Sequence, residues 1–333
     1  MGFDMSHVSL KEKYKDYFTI GAGIVAEDMT NPSSGHKDII LKHFNSLTCS
    51  NEMKHISVCP RSPDEYLLDD ANVILNFAKE NNMELRGHTL VWHFQTGEHI
   101  FENANKEILL ERMKLHMLRM REAFGIYMSK WDVVNEAISD SDDAFLRPSK
   151  WLEIIGEDFM DYAFTYAHEV FPEAKLFYND YNEHKPEKSK RIHKAVKSML
   201  DRGIPISGLG LQAHWDIVTT KVDDIKRAFE LYASLGIDLD ITELDISMYE
   251  FHDHTSLKQP TPEMIKTQAN LYGEAFKIFR EYKDIITNVS TWGVADNGTW
   301  LDWFPLEGRK NWPLLFDINN QPKKEVFEKI LDF

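Results

Sequence analysis

Residues 130–137 read Lys-Trp-Asp-Val-Val-Asn-Glu-Ala, a short apolar run that ends in the polar pair Asn135 and Glu136. Apolar runs of this length, bounded by polar residues or glycine, are typical of buried parallel strands. Eight such runs occur along the chain, and a longer helical pattern follows each one. The predicted strands are Phe18–Val25, Ser46–Cys49, Glu84–Val91, Lys130–Val134, Lys175–Tyr178, Gly208–Leu211, Asp238–Thr242 and Thr287–Trp292.

The segments between these runs show helical periodicity. Two stripes repeat with steps of three and four residues, which places their members on one face of a helix. They are Leu110, Met113, Met117, Met120 and Phe124, and Ile265, Ala269, Tyr272, Phe276 and Phe279. Thr261 before Pro262 predicts a helix start, and Gly203 predicts the end of a helix over 188–202.

Eight strand-helix units in 333 residues, without a linker or a repeat, predict an α/β fold with one domain. We expect a single-domain (β/α)8 TIM barrel over 1–333, in which residues 1–17 are an N-terminal lead-in segment. An open doubly wound sheet is the runner-up. It is disfavoured because the Gly21-Ala22-Gly23 turn lacks the third glycine of a dinucleotide-binding loop.

The charge balance restricts the partners. Lys and Arg number 38 against 54 Asp and Glu, a net charge of −16 that repels nucleic acid and anionic lipid. No apolar run has the length of a membrane span, and residues 1–20 do not read as a secretion signal, so we expect a cytoplasmic protein. Cys49 and Cys59 are predicted to be reduced thiols, although a single disulfide stays open.

Two glutamates stand where barrel enzymes carry their chemistry, at the carboxyl ends of strands. Glu136 ends the fourth predicted strand and Glu243 the seventh. Two facing carboxyl groups can take different roles in one reaction: one donates a proton to a leaving oxygen while the other stays ionised. This is glycosidic chemistry. The alternative is that both are ordinary surface carboxylates.

Neighbouring strand ends supply groups suited to a sugar. Amides, imidazoles and a lysine can bond hydroxyl groups, and indole faces can cover a sugar ring. The predicted substrate-binding residues are Asn51, Lys54, His88, Trp92, Gln95, Tyr181, Asn182, Gln212, Trp292 and Trp300. Asn135, His214 and Asp245 are predicted to support the glutamates, and we expect His214 between Glu243 and Asp245. Neither a metal nor a cofactor is predicted, because no close-spaced ligand motif is present.

Seven segments, in this order along the chain, resemble glycoside hydrolase family 10, the β-1,4-xylanases. The resemblance covers about Phe18 to Phe333. The segments are Asn-Glu-Met-Lys at 51–54, Arg-Gly-His-Thr-Leu-Val-Trp-His at 86–93, Trp-Asp-Val-Val-Asn-Glu-Ala at 131–137, Tyr-Asn-Asp-Tyr-Asn at 178–182, Gly-Leu-Gln-Ala-His at 210–214, Ile-Thr-Glu-Leu-Asp at 241–245 and Trp-Gly-Val-Ala-Asp at 292–296.

This resemblance implies a retaining endo-β-1,4-xylanase that acts on xylan or xylo-oligosaccharides. It assigns Glu136 as general acid/base and Glu243 as nucleophile, with Asn135 on the sugar 2-hydroxyl. It also implies that Tyr181 stacks on the aglycone sugar and that Trp292 and Trp300 close over the cleaved sugar. The residues implied to line the glycone side are Asn51, Lys54, His88, Trp92 and Gln95. The stretch 308–317 is similar to the intracellular members of the family.

The sequence also departs from the family pattern around the predicted cleft. Ser50 stands where Glu is usual, Phe94 replaces a small polar residue, and Gly97-Glu98-His99 replaces a frequent Pro-x-Trp. Asn297-Gly298 stands where Asp-His is frequent. These changes leave open a β-xylosidase-like or aryl-β-glycoside hydrolase and, as a different class, a non-catalytic xylo-oligosaccharide-binding barrel. The oligomeric state is not predicted.

Overall fold

A computed structural model describes residues 7–333 of the chain. The strands are β1 (Thr19–Ile24), β2 (Ser46–Cys49), β3 (Glu84–Trp92), β4 (Lys130–Asn135), β5 (Lys175–Asp180), β6 (Gly208–Leu211), β7 (His214–Asp216), β8 (Asp238–Ser247) and β9 (Ile286–Thr291). The α-helices are α1 (Leu10–Lys13), α2 (Glu27–Thr30), α3 (His36–His43), α4 (His55–Val58), α5 (Asp69–Glu80), α6 (Lys106–Phe124), α7 (Lys150–Ile155), α8 (Phe159–Val170), α9 (Pro186–Asp201), α10 (Val222–Ala233), α11 (Pro262–Glu281) and α12 (Lys324–Ile330).

Eight of these strands form a closed parallel barrel. Each of β1 to β5 pairs in parallel with the next strand, β6 pairs with β8, and β8 pairs with β9. The pairing of β9 with β1 closes the ring. The remaining strand, β7, lies outside the ring and pairs with the end of β8. The predicted (β/α)8 barrel is therefore confirmed, and all eight predicted strands are present.

Four strands run further toward their carboxyl ends than the sequence pattern predicts. β3 includes Trp92, β4 includes Asn135, and β5 continues to Asp180. β8 continues five residues past Thr242 because Asp245–Ser247 pairs with β7. Glu243 consequently lies within β8, in the half of the strand nearest its carboxyl end.

The predicted helices pack as their periodicity indicates. Most members of the two stripes are buried in α6 and α11, while Leu110 and Ile265 at the first turns are partly exposed. The Thr261 hydroxyl accepts a hydrogen bond from the Met264 amide and so caps α11. Helix α9 begins two residues before the predicted range.

The N-terminal segment contributes to the core more than a lead-in would. Residues 1–6 of the predicted 1–17 segment lie outside the described residues. Leu10 and Tyr14 are fully buried, and the Tyr14 hydroxyl donates to the carbonyl of Ile330 in α12.

Cys49 and Cys59 are both buried and unbridged. Within residues 7–333, no helix is both long and apolar enough to cross a bilayer.

Charged residues inside the barrel hold several strands together. The guanidinium of Arg86 in β3 lies between two buried carboxylates, Asp132 in β4 and Asp240 in β8, at 2.5 and 2.8 Å. Lys130 also contacts Asp240, at 3.0 Å. A buried charge is costly unless it is paired, so this network fixes the relative positions of β3, β4 and β8. The second oxygen of Asp132 lies 2.9 Å from His88 Nδ1, at the level of the candidate site.

Candidate active site

Glu136 follows β4 and points into the mouth of the barrel. Its φ of 59° is a left-handed conformation that residues other than glycine rarely adopt. Two backbone contacts hold this turn: the Glu136 amide donates to the Asn179 carbonyl at 2.8 Å, and Arg147 Nε donates to the Glu136 carbonyl at 2.8 Å. The carboxyl group accepts hydrogen bonds from Trp92 Nε1 and Gln212 Nε2, each at 2.9 Å.

Glu243 lies in β8 and is more deeply buried, with 4% of its surface exposed. One carboxylate oxygen accepts a hydrogen bond from Asn179 Nδ2 at 2.9 Å, and the other lies 2.9 Å from His214 Nε2. The other ring nitrogen of His214 lies 2.9 Å from Asp245 Oδ1. The second oxygen of Asp245 accepts from Trp300 Nε1 at 2.8 Å. The structure thus places His214 between Glu243 and Asp245.

Amide side chains connect the two glutamates. Asn135 Nδ2 donates to Glu136 at 3.2 Å, and its oxygen accepts from Asn179 Nδ2, which also donates to Glu243. Gln212 Nε2 donates to Glu136 and lies 3.3 Å from the oxygen of Asn135. Neutral amides cannot exchange protons with the carboxyl groups as a histidine could. They therefore fix the positions of the two glutamates without carrying a proton from one to the other.

The surroundings push the two carboxyl pKa values in opposite directions. Burial raises the pKa of Glu136, and the charge of Glu243 raises it further, against the lowering effect of the Gln212 and Trp92 hydrogen bonds. Burial alone would also raise the pKa of Glu243. There, however, the hydrogen bonds from His214 and Asn179, together with the electrostatic effect of the nearby His88 and His214 rings, bring the net pKa below its ordinary value.

His214 can exert this effect because it stays protonated. Burial by itself lowers the pKa of His214, but the charges and hydrogen bonds of Asp245 and Glu243 raise it well above the usual range. Both ring nitrogens then donate hydrogen bonds, one to each carboxylate. The site therefore favours the protonated form of Glu136 and the ionised form of Glu243, which is the arrangement that acid-assisted cleavage of a glycosidic bond requires.

One wall of the site combines residues that follow β2 and β3. The buried Lys54 ammonium donates to Asn51 Oδ1 at 3.0 Å and Gln95 Oε1 at 2.8 Å, and it lies 5.3 Å from the centre of the Trp92 ring. The His88 ring makes an edge contact with Trp292. The structure brings these predicted residues together on the side of the barrel where Ser50 and Phe94 also lie, and Phe94 is 61% exposed.

The opposite wall follows β4 and β5. Tyr181 and Asn182 both donate to the carboxylate of Asp140, and Arg147 contacts Asp140 and Tyr181. Sequence reasoning missed Asp140 and Arg147 because both lie in the loop after β4, outside any strand-end pattern. It missed Asp132 as well, although the alternation along Trp131-Asp132-Val133 offered a signal that this carboxylate of β4 lies inside the barrel.

Comparison with known proteins gives one consistent family. The model of glycosyl hydrolase family 10 matches residues 9–333. Endo-1,4-beta-xylanase A of Caldicellulosiruptor saccharolyticus is 48% identical over 99% of this chain and 97% of its own length. Endo-1,4-beta-xylanase of Geobacillus stearothermophilus is 46% identical over 95% and 96%.

Solved structures agree with the barrel in detail. The crystal structure of CbXyn10B in native form has a TM-score of 0.94 and 48% identity, covering 98% of this chain and 99% of that one. A mutant structure in complex with xylotriose has a TM-score of 0.94 and 47% identity, covering 98% and 100%.

Replacing the histidine between the two carboxylates tests the electrostatic role given to it. In His214→Gln, Glu243 loses a cationic partner, so its pKa rises. If glycoside hydrolysis requires an ionised Glu243, the acid limb of kcat/KM moves to higher pH, by about one to three units. His193→Gln is the matched control, since His193 contacts Ser234 on the outside of the barrel. An acid limb that does not move in His214→Gln contradicts the role.

Proposed function

Because the chain belongs to glycosyl hydrolase family 10, we propose that it is an endo-1,4-β-xylanase in which Glu136 and Glu243 carry out a retaining double displacement. The relatives whose names give this activity match nearly the whole chain. The observation that supports the residue assignment is the unequal environment of the two carboxyl groups, one with a raised pKa and the other with a lowered pKa.

The different pKa values of the two carboxyl groups determine their roles in the reaction. The Glu243 carboxylate attacks the anomeric carbon as the bond to the leaving sugar breaks, and Glu136 gives its proton to the departing oxygen. A covalent glycosyl-enzyme and an ionised Glu136 result. Glu136 then takes a proton from water, the water oxygen attacks the anomeric carbon, and Glu243 is released as a carboxylate. Two inversions leave the configuration of the sugar unchanged.

The remaining predicted residues bind the sugar chain in this proposal. Asn51, Lys54, His88, Trp92 and Gln95 would contact the glycone sugars, and Tyr181 with Asn182 would face the aglycone sugars. Asn135 would hold the 2-hydroxyl, a contact that strengthens in the transition state of glycoside cleavage. Trp292 and Trp300 would cover the cleaved sugar. Gln212 and Asp245 would act through Glu136 and His214. None of these steps uses a metal or a cofactor.

The alternatives drawn from the sequence are not favoured. A β-xylosidase-like or aryl-β-glycoside hydrolase would not be expected to have relatives named endo-1,4-beta-xylanase at 45 to 48% identity over 95 to 99% of the chain. A non-catalytic binding barrel gives no reason for the two carboxyl groups to be held at opposite sides of the ordinary glutamate pKa.

Chemical rescue distinguishes the roles of the two glutamates. With an aryl β-xyloside, Glu243→Ala loses turnover, and azide restores cleavage to give the α-xylosyl azide, because azide attacks directly once the nucleophile is gone. Glu136→Ala still forms the glycosyl-enzyme from this reactive substrate, and azide releases it as the β-xylosyl azide. Unactivated xylotriose is then cleaved about 10² to 10⁴-fold more slowly by Glu136→Ala.

The anomeric configuration is read by NMR of the products. Glu187→Ala is the control, since Glu187 is an exposed residue of α9 paired with Lys190. The same azide anomer from both variants, or normal xylotriose turnover by Glu243→Ala, would refute the assignment.

Ser50 stands where the family usually has glutamate, and the effect of this difference on KM is simple to measure. The serine side chain is shorter than glutamate and carries no charge. It therefore cannot make the charge-assisted hydrogen bonds of a carboxylate, each of which contributes about 1.5–3 kcal/mol. Ser50→Glu should therefore lower KM for xylotetraose by about tenfold or more and leave xylobiose almost unaffected. Ser50→Gln is the control for size. Equal KM values in Ser50→Glu and the parent chain would mean that another residue supplies the contact.

We also propose that the protein works in the cytoplasm. The similarity of residues 308–317 to intracellular family members supports this location, as does the presence of two unbridged cysteines, which suits a reducing compartment. Fractionation of the source cells with an antibody to the protein should find it with a cytoplasmic marker. Its recovery mainly from the culture medium would contradict the proposal.

A further inference from the structure

His55, Cys59 and His99 lie together on the outer side of the wall formed after β2 and β3. His55 is the first residue of α4 and Cys59 directly follows the helix, where its amide donates to the His55 carbonyl and so keeps the two residues close together. His99 comes from the 3-10 helix Glu98–Ile100 after β3. One donor atom from each residue lies within 4.8 Å of the other two, and Cys59 Sγ is 3.5 Å from His99 Nε2.

A cavity of about 290 Å³ adjoins this cluster, and a further histidine lines it. His116 in α6 is 3% exposed, and its Nδ1 lies 2.8 Å from the Tyr66 hydroxyl. Its Nε2 is buried and, among residues 7–333, has no hydrogen-bond partner. The His55 ring lies between the rings of His116 and His99, with centroid distances of 4.7 and 5.5 Å. A buried nitrogen without a partner is costly, so a water molecule or another polar group in the cavity would stabilise it.

The donor types in the cluster suit a metal ion, because imidazole nitrogens and a cysteine sulfur are the ligands that Zn²⁺ commonly takes. The Cys59 thiol donates a hydrogen bond to the Ser62 carbonyl at 3.1 Å. A metal ion that binds here must displace the thiol proton.

The hydrogen bond at His55 determines how this residue can take part. The Gly97 amide donates to His55 Nδ1 at 3.0 Å, so the neutral ring carries its proton on Nε2. A metal ion bound to His55 must replace either the Gly97 amide or that proton. Cys59 and His99 are therefore the primary ligands, and His55 joins them through a local rearrangement at Gly97.

We propose that Cys59, His99 and His55 form a binding site for a thiophilic divalent ion of the Zn²⁺ type. A thiolate with two imidazoles is a ligand set that Zn²⁺ accepts in tetrahedral geometry, and the cavity leaves room for water at the fourth position. The site is separate from the two glutamates. No motif revealed it in the sequence, because the helical spacing of His55 and Cys59 differs from the close-spaced pairs of common zinc motifs and His99 is distant along the chain.

The ion would connect two segments that also form the sugar-binding wall. Lys54 directly precedes His55, and Gln95 lies four residues before His99. These two segments are already joined by the Lys54–Gln95 hydrogen bond and by a backbone bond from the Ile56 amide to the Gln95 carbonyl at 3.0 Å. His99 belongs to the stretch 97–99 in which the sequence departs from its family. Metal binding therefore stabilises this wall without entering the reaction.

Cobalt is the probe, because a Co²⁺–thiolate bond gives a charge-transfer absorption band. Full-length protein treated with a chelator should bind one equivalent of Co²⁺ with such a band, and one equivalent of Zn²⁺ should abolish it. Cys59→Ser should lose the band, and His99→Gln should bind at least about tenfold more weakly. Cys49→Ala, which removes the buried cysteine of β2, should behave as the parent chain. Zn²⁺ should raise the Tm of the parent chain but not of Cys59→Ser.

Three results would overturn the proposal: no charge-transfer band in the parent chain, an undiminished band in Cys59→Ser, or equal Zn²⁺ affinity in the parent chain and His99→Gln. If Cys59→Ser fails to fold, His99→Gln still decides the question, because His99 is only partly buried. Xylanase activity of the metal-free protein is measured in parallel. Its persistence separates this site from the proposed catalytic pair.

Discussion

The pairing of Glu243 with a protonated histidine is the interaction on which the active site depends. A carboxylate that is 4% exposed would ordinarily take up a proton, since burial disfavours its charged form. His214 prevents this, and Asp245 in turn keeps His214 protonated. Trp300 fixes the other oxygen of Asp245. An ionised carboxylate can therefore lie beside Glu136, whose carboxyl group accepts hydrogen bonds from the neutral side chains of Trp92 and Gln212 and whose pKa is raised.

The barrel brings together the side chains that give Glu136 and Glu243 their different pKa values. Glu136, Asn179, Gln212 and Glu243 come from four separate strand ends, and parallel pairing brings those ends to one mouth. The Arg86 ion network deeper in the barrel ties three of the strands together and, through Asp132, also reaches His88. Positions set by backbone pairing and buried charge cannot shift easily. The mouth can therefore hold reacting groups with the precision that catalysis needs.

Much of this arrangement could be predicted from the sequence, because it follows from local rules. Apolar runs mark the strands, and carboxylates just past them, such as Glu136, must lie at the barrel mouth once the fold is known. The extension of β8 could not be predicted, since it depends on pairing with β7. Nor could Asp140 and Arg147, which hold Tyr181 from an irregular loop. The His55, Cys59 and His99 cluster was missed for a similar reason, because only the folded chain brings His99 to α4.

The most direct test of the account is a titration of the two carboxyl groups by carbon NMR in protein with labelled glutamate. Glu243→Gln and Glu136→Gln assign the two resonances, and the values are read as those of a coupled pair. The account predicts one pKa below the ordinary glutamate value that disappears in Glu243→Gln, and one above it that disappears in Glu136→Gln. Two equal pKa values, or the reverse order, would contradict it.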